Sequence, residues 1–127
     1  MNSKHRTFSI SNRLRSFKHA FAGLRALIRY EHNSRIHFTA AILAIGLGII
    51  LGISLIEWCV LVGTIALVVV VELINSAVER LSDHVSPDMS PTIKLVKDYC
   101  AAAVLVSSIA AVAIGVLIFL PELLRLL

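Results

Sequence analysis

Two stretches of the chain carry no formal charge over the length of a membrane span: residues 38–56, with 19 positions, and residues 99–120, with 22. About 20 helical residues cross the hydrocarbon of a bilayer, so both are predicted transmembrane helices. Residues 58–71 add 14 uncharged positions before Glu72 interrupts, and the apolar pattern resumes through Leu73, Ile74, Ala77, Val78 and Leu81. The predicted spans are therefore 36–56, 58–83 and 91–120. Upstream, Leu14, Phe17, Phe21, Leu24 and Ile28 recur at steps of three and four, with Lys18, Arg25 and Arg29 on an adjacent face. That division predicts an amphipathic helix over 13–34 lying in the membrane interface. A soluble helix packed on a protein core is the alternative, and the rest of the chain offers no such core. Residues 1–12 are polar and are expected to be flexible.

The polar interruptions of the second span are ordered. Glu72, Asn75, Ser76, Glu79 and Asp83 stand at offsets of zero, three, four, seven and eleven. At about 100° per residue they share a wedge of about 100° along about 16 Å of helix. An ionisable side chain inside a membrane span is costly and normally faces a polar cavity or a partner. A helix end emerging into water explains Asp83 equally well, but not Glu72, about two turns deeper than Glu79. A carboxylate placed this deep, within reach of a lipid hydroxyl, is suited to act as a general base for an alcohol. Glu79, nearer the water, is suited to a divalent cation, which prefers hard oxygen ligands.

Other polar residues are weaker signals. Lys97 and Asp98 stand at the mouth of the third span, where a lysine could neutralise phosphate charge; alone, they read as a snorkelling cation and a solvated anion. Glu31 is the sole acid among the first 56 residues, surrounded by Arg29, His32, Arg35 and His37. A local ion pair and a metal ligand under the interfacial helix are equally open readings. Residues 82–91 carry two prolines and several small polar residues and read as a loop, with Ser90-Pro91 as a helix start. No GxxxxGK[ST] phosphate loop occurs, so a nucleotide site here is of another design.

Composition sharpens the class. With 57% hydrophobic residues and a mean hydropathy of +0.86, the chain of 127 residues is too apolar for a small soluble domain. Eleven of its 12 Lys and Arg lie before the first span or around the connection between the second and third. The positive-inside rule makes that side cytoplasmic, as in a bacterial inner membrane. The net charge of +4 is thereby a topology signal, and nucleic acid is not an expected partner. Cys59 and Cys100 have no CxxC spacing and suggest neither disulfide nor zinc. Gly48 and Gly52 form a GxxxG pair, and the third span is rich in alanine and serine, both suited to close helix packing. Three helices enclose little volume, so an oligomer suits a chain that builds a site.

The run Glu72-Leu-Ile-Asn75-Ser-Ala-Val-Glu79-Arg-Leu-Ser-Asp83 closely resembles the signature of the prokaryotic diacylglycerol kinase family, which includes the undecaprenol kinases. Lys97-Asp98 before an alanine-rich helix and Gly23-Leu-Arg25-Ala26 before Glu31 fit the same pattern, and the likeness covers residues 13–121. Ser82 departs from the valine usual at its position. The resemblance implies an all-α integral membrane protein, with an interfacial amphipathic helix and three transmembrane helices per subunit. It also implies a homotrimeric bundle with active sites shared between subunits. It implies transfer of a phosphoryl group from ATP, with Mg2+ or another divalent cation, to a lipid alcohol. By position, Glu72 matches the catalytic base and contacts the lipid, where Arg35 is also expected. Glu31 and Glu79 match the metal carboxylates. His19, Glu31, Asn75, Glu79, Asp88, Lys97 and Asp98 match the ATP site. Arg13 and Arg15 compete for the place of an N-terminal arginine found in some members.

Asn33-Ser-Arg-Ile-His37, Ile56-Glu-Trp-Cys59 and Phe119-Leu-Pro121 look more like the undecaprenol kinase branch, and these stretches are expected to lie away from the chemistry. A small proton-coupled transporter exchanging protons on Glu72 is the rival reading. It leaves Asn75, Glu79, Lys97 and Asp98 at one membrane boundary without a role. A non-catalytic scaffold leaves the whole acidic stripe unexplained.

Overall fold

In a computed structural model, described over residues 9–88 and 90–127, the chain is four helices in series. They are α1 (Ile10–Tyr30), α2 (His32–Leu51), α3 (Leu55–Val85) and α4 (Pro91–Leu124), and no strand occurs among the described residues. The last three are long and apolar enough to cross a membrane. At about 1.5 Å per residue, α2 is about 30 Å long, the thickness of the hydrocarbon, whereas α3 and α4 are about 46 and 51 Å and project beyond it. The polar stretch expected to be flexible is helical from Ile10, and its first eight residues lie outside the described ones.

The helix read over 13–34 divides at Glu31, because the chain turns there into an extended conformation (φ −105°, ψ 116°). Side-chain chemistry supports the break. The Arg35 guanidinium donates from Nε to the Ile28 carbonyl at 2.9 Å and from Nη2 to the Arg29 carbonyl at 2.7 Å. These carbonyls end α1 and have no N–H of a following turn to bond, so the charged donor takes its place. Tyr30 completes the corner, with the Arg29 and Arg80 guanidinium carbons 5.7 and 5.3 Å from its ring centroid. Hydrophobic periodicity continues across Glu31, so it does not mark this turn.

The α2–α3 corner uses both glycines of the GxxxG pair, for different reasons. Gly52 takes the left-handed conformation (φ 66°) that ends α2, and its N–H bonds the Gly48 carbonyl at 3.0 Å. Gly48 is buried where a Cβ would stand 3.0 Å from the Trp58 ring and 3.1 Å from Ile53 Cδ1. The pair thus shapes a hairpin within one chain. Replacing Gly48 by valine forces a branched side chain against the tryptophan. We expect a loss of about 1–3 kcal/mol, read as a lower midpoint of thermal unfolding in detergent. Ser54 then starts α3 with a capping box, accepting from Glu57 N–H while its own N–H bonds the Glu57 carboxylate at 2.7 Å. Ser90 caps α4, with Pro91 at its first turn.

Packing is closest between α3 and α4; α2 lies mainly on α3, and α1 touches α2 and α3 but not α4. The buried apolar cluster, Ile53, Leu61, Ile118 and Phe119, sits at the α2–α3 corner. Outward faces are apolar as well: Ile42, Leu43, Ile49, Ile50, Leu105, Val106, Ile109, Val112 and Leu117 are all exposed. In water such a surface would drive aggregation, whereas in a bilayer it is solvated by lipid. Chain direction puts the start of α2, the end of α3 and the start of α4 at the opposite end of the bundle, where the charges collect.

Candidate active site

Glu72 is the deepest charge-bearing residue of this end. It is 3% exposed and lies on α3 level with the first turn and a half of α2. Ser34, fully buried on α2, donates from Oγ to Glu72 Oε2 at 3.1 Å. Three residues on, His37 brings Nε2 to 3.1 Å from Oε1, close but without the alignment of a full hydrogen bond. Across the bundle, Ser108 of α4 places Oγ 3.5 Å from the same His37 nitrogen. Two further polar atoms on the wedge, Asn75 Oδ1 and Ser76 Oγ, are buried without a hydrogen-bond partner among the described residues. These oxygens, next to a buried carboxylate, are free to take a further polar group.

Toward the helix ends, two of the remaining candidates, Glu31 and Lys97, are paired between elements. Glu31 Oε1 is 3.5 Å from Arg80 Nη2, which brings the α1–α2 corner against α3 one residue from Glu79. Glu79 is half-buried and has no ion pair among the described residues. Lys97 of α4 binds the Asp83 carboxylate at the end of α3. Asp98 faces the other way and accepts from Lys94 at 2.6 Å, one turn earlier. Asp88 is exposed in the α3–α4 loop, where its carbonyl accepts from Ser86 Oγ at 2.6 Å. His19 is exposed midway along α1, and Arg35 is committed to the corner described above. Among the described residues no three His, Cys, Asp or Glu side chains gather as a metal site.

Beside Glu72 an apolar cavity of about 350 Å3 opens between α2, α3 and α4, lined by His37, Ala41, Thr64, Val68, Ser108 and Phe119 among others. His37 forms the polar end of its wall. One sequence expectation is overturned here. The Asn33–His37 stretch does not lie away from the proposed base; Ser34 and His37 are its contacts. The available signal was two polar side chains three residues apart at the start of a membrane span, which share a helix face.

The Prokaryotic diacylglycerol kinase family model matches residues 18–119, most of the chain. The chain belongs to the prokaryotic diacylglycerol kinase family. Undecaprenol kinase of Bacillus subtilis (strain 168) is 34% identical over 123 residues, covering 97% of this chain and all of the relative. Diacylglycerol kinase of Synechocystis sp. is 37% identical over 117 residues, covering 91% of this chain and 67% of the relative. Diacylglycerol kinase of Escherichia coli (strain K12) is 32% identical over 94 residues, or 74% of this chain and 77% of the relative. The matched region includes α2, α3 and the loop into α4, so the whole buried cluster around Glu72 falls within the family portion of the chain. These relatives are lipid kinases by name, and the three apolar spans make this member of the family a membrane protein.

Proposed function

We propose that the chain phosphorylates the hydroxyl of a membrane lipid alcohol, undecaprenol or diacylglycerol, using ATP and a divalent cation. The observation that carries this reading is Glu72, buried at the membrane boundary in a family of lipid kinases, held by α2 and beside an apolar cavity. The lipid hydroxyl reaches Glu72 from the bilayer. As its proton passes to the Glu72 carboxylate, the alcohol oxygen bonds to the γ-phosphorus of ATP, and the bond from phosphorus to the β,γ-bridging oxygen breaks to release ADP. Charge and position do most of the work in such a transfer, which needs no covalent phosphoenzyme.

Glu31 and Glu79 are the residues proposed to hold the cation. Their oxygens are hard donors, Glu79 has no competing ion pair among the described residues, and two protein carboxylates leave positions for phosphate oxygens and water, as magnesium prefers. When bound, the cation neutralises charge on the transferring phosphoryl group. Lys97, Asn75 and Asp98 are proposed to position phosphates and nucleotide, with Asn75 Oδ1, an acceptor without a partner among the described residues, open to a donor group of the nucleotide. Lys97 would exchange its Asp83 contact for phosphate. His19 and Asp88 would reach the nucleotide from α1 and the loop. Arg35, with N–H groups left beyond its two carbonyl contacts, would meet the substrate at the interface.

The assembly is proposed to be a homotrimer. Within one chain Glu31, Lys97 and Asp98 each pair with another side chain rather than converging on one point, and long apolar faces remain for neighbours as well as lipid. Exposed Ile10, Leu14, Phe17 and Phe21 along α1 fit a helix lying in the interface, on the cytoplasmic side of a bacterial inner membrane. The whole chain is read as one lipid kinase domain. Incubating purified protein with γ-labelled ATP and each lipid alcohol tests the activity. Cation-dependent label in a phospholipid is expected, and proton-driven solute flux without ATP use would instead establish the transporter.

A further inference from the structure

We propose that Ser34 and His37 of α2 are positioning residues that grip the Glu72 carboxylate by its two oxygens and aim it at the lipid hydroxyl. The proposal rests on reading Glu72 as the base. Ser34 donates to Oε2 at 3.1 Å, and His37 Nε2 stands 3.1 Å from Oε1. The two residues are three apart on one helix, so a single rigid element carries both contacts. Ser108 bears on where the imidazole carries its proton. Its hydroxyl hydrogen is given to the Val104 carbonyl at 2.7 Å, so only its lone pairs face His37 at 3.5 Å. Glu72 Oε1 is an acceptor too, and both neighbours therefore call for a proton on Nε2. In the proposed state that N–H turns onto Oε1, 3.1 Å from Nε2 and without another donor among the described residues.

The consequence is directional. A carboxylate on a flexible glutamate stem rotates freely, whereas one held at both oxygens presents its remaining lone pairs along fixed lines. His37 also walls the apolar cavity between α2, α3 and α4, so the same side chain that orients the base borders the hydrocarbon space beside it. Holding a base within a fraction of an ångström of its line of action is a rate effect, not an affinity effect.

Four variants in detergent or nanodiscs test this: Ser34→Ala, His37→Leu, His37→Gln and Glu72→Gln. Hydrogen bonds to a charged group are each worth about tenfold or more. We expect kcat to fall about 10-fold in Ser34→Ala and about 30-fold in His37→Leu, with KM for metal–ATP and for lipid within about twofold of the parent. His37→Gln, which retains an N–H near the position of Nε2, should recover kcat to within about fivefold of the parent. Parental kcat in both Ser34→Ala and His37→Leu overturns the grip, as does His37→Gln performing no better than His37→Leu. A loss confined to KM overturns it too. Should His37→Leu fail to fold, as judged by its assembly size, the near-isosteric Ser34→Ala decides the matter by the same kcat criterion. Glu72→Gln separates the two levels: if it is inactive while the α2 variants are unimpaired, the grip alone fails; if it is active, the base reading fails first.

Discussion

Glutamine at position 72 is expected to reduce turnover by about 10^3-fold or more while leaving the assembly and its binding of metal–ATP intact. The substitution is nearly isosteric, and the side chain is 3% exposed, so little repacking is called for. An amide oxygen still accepts from Ser34, which preserves the contact with α2. What is lost is the capacity to take a proton as the alcohol oxygen attacks phosphorus. Removing the formal charge also lowers the desolvation cost of the site, so the variant should be no less stable than the parent. The measurement is single-turnover label transfer to lipid alongside calorimetric titration with metal–ATP. Turnover within tenfold of the parent would falsify the assignment of Glu72 as base.

Alanine at position 79 is expected to act on the other substrate. Glu79 is half-buried, lies on the wedge shared with Glu72 and Asn75, and has no ion pair to lose among the described residues. If it holds the cation together with Glu31, its removal halves the protein's oxygen donors. Metal–ATP affinity should then weaken by about 100-fold, comparable to or beyond the effect of altering a ligand's support. The dependence of rate on Mg2+ should move to higher concentration by a similar factor, with lipid KM little changed. An unchanged Mg2+ dependence sinks the role. Glu31→Ala is informative beside it. Glu31 also pairs with Arg80 across the α1–α3 contact, so that variant combines loss of a ligand with loosening of the corner. Glu79→Ala isolates the ligand effect.

Much of this protein follows from its order of residues. Charge-free runs of 19 and 22 positions demand lipid around them, because a helix is the one open-chain structure that satisfies its own backbone there. The wedge from Glu72 to Asp83 is a property of spacing along one helix, and a spacing that repeats with the helical period puts side chains on one face wherever the helix goes. Family membership was legible for the same reason, since its signature is local to α3. The candidate base Glu72, Asn75, Glu79 and the charged mouth of α4 are all single-element features of this kind, whereas Glu31 stands on another element and drew its proposed role from the family resemblance alone.

Features that depend on two elements meeting were decided only by the tertiary structure. The break at Glu31 arises where Arg35 reaches back to the carbonyls of Ile28 and Arg29, an interaction that hydrophobic periodicity does not encode. Gly48 and Gly52, spaced as a helix-association motif, turn out to serve a hairpin because Trp58 comes to rest on one and the chain reverses at the other. Above all, the approach of α2 to α3 puts Ser34 and His37 on Glu72, 38 and 35 positions away along the chain. Sequence spacing fixes which residues share a helix face; only packing fixes which faces meet, and with them which donors a buried carboxylate finds.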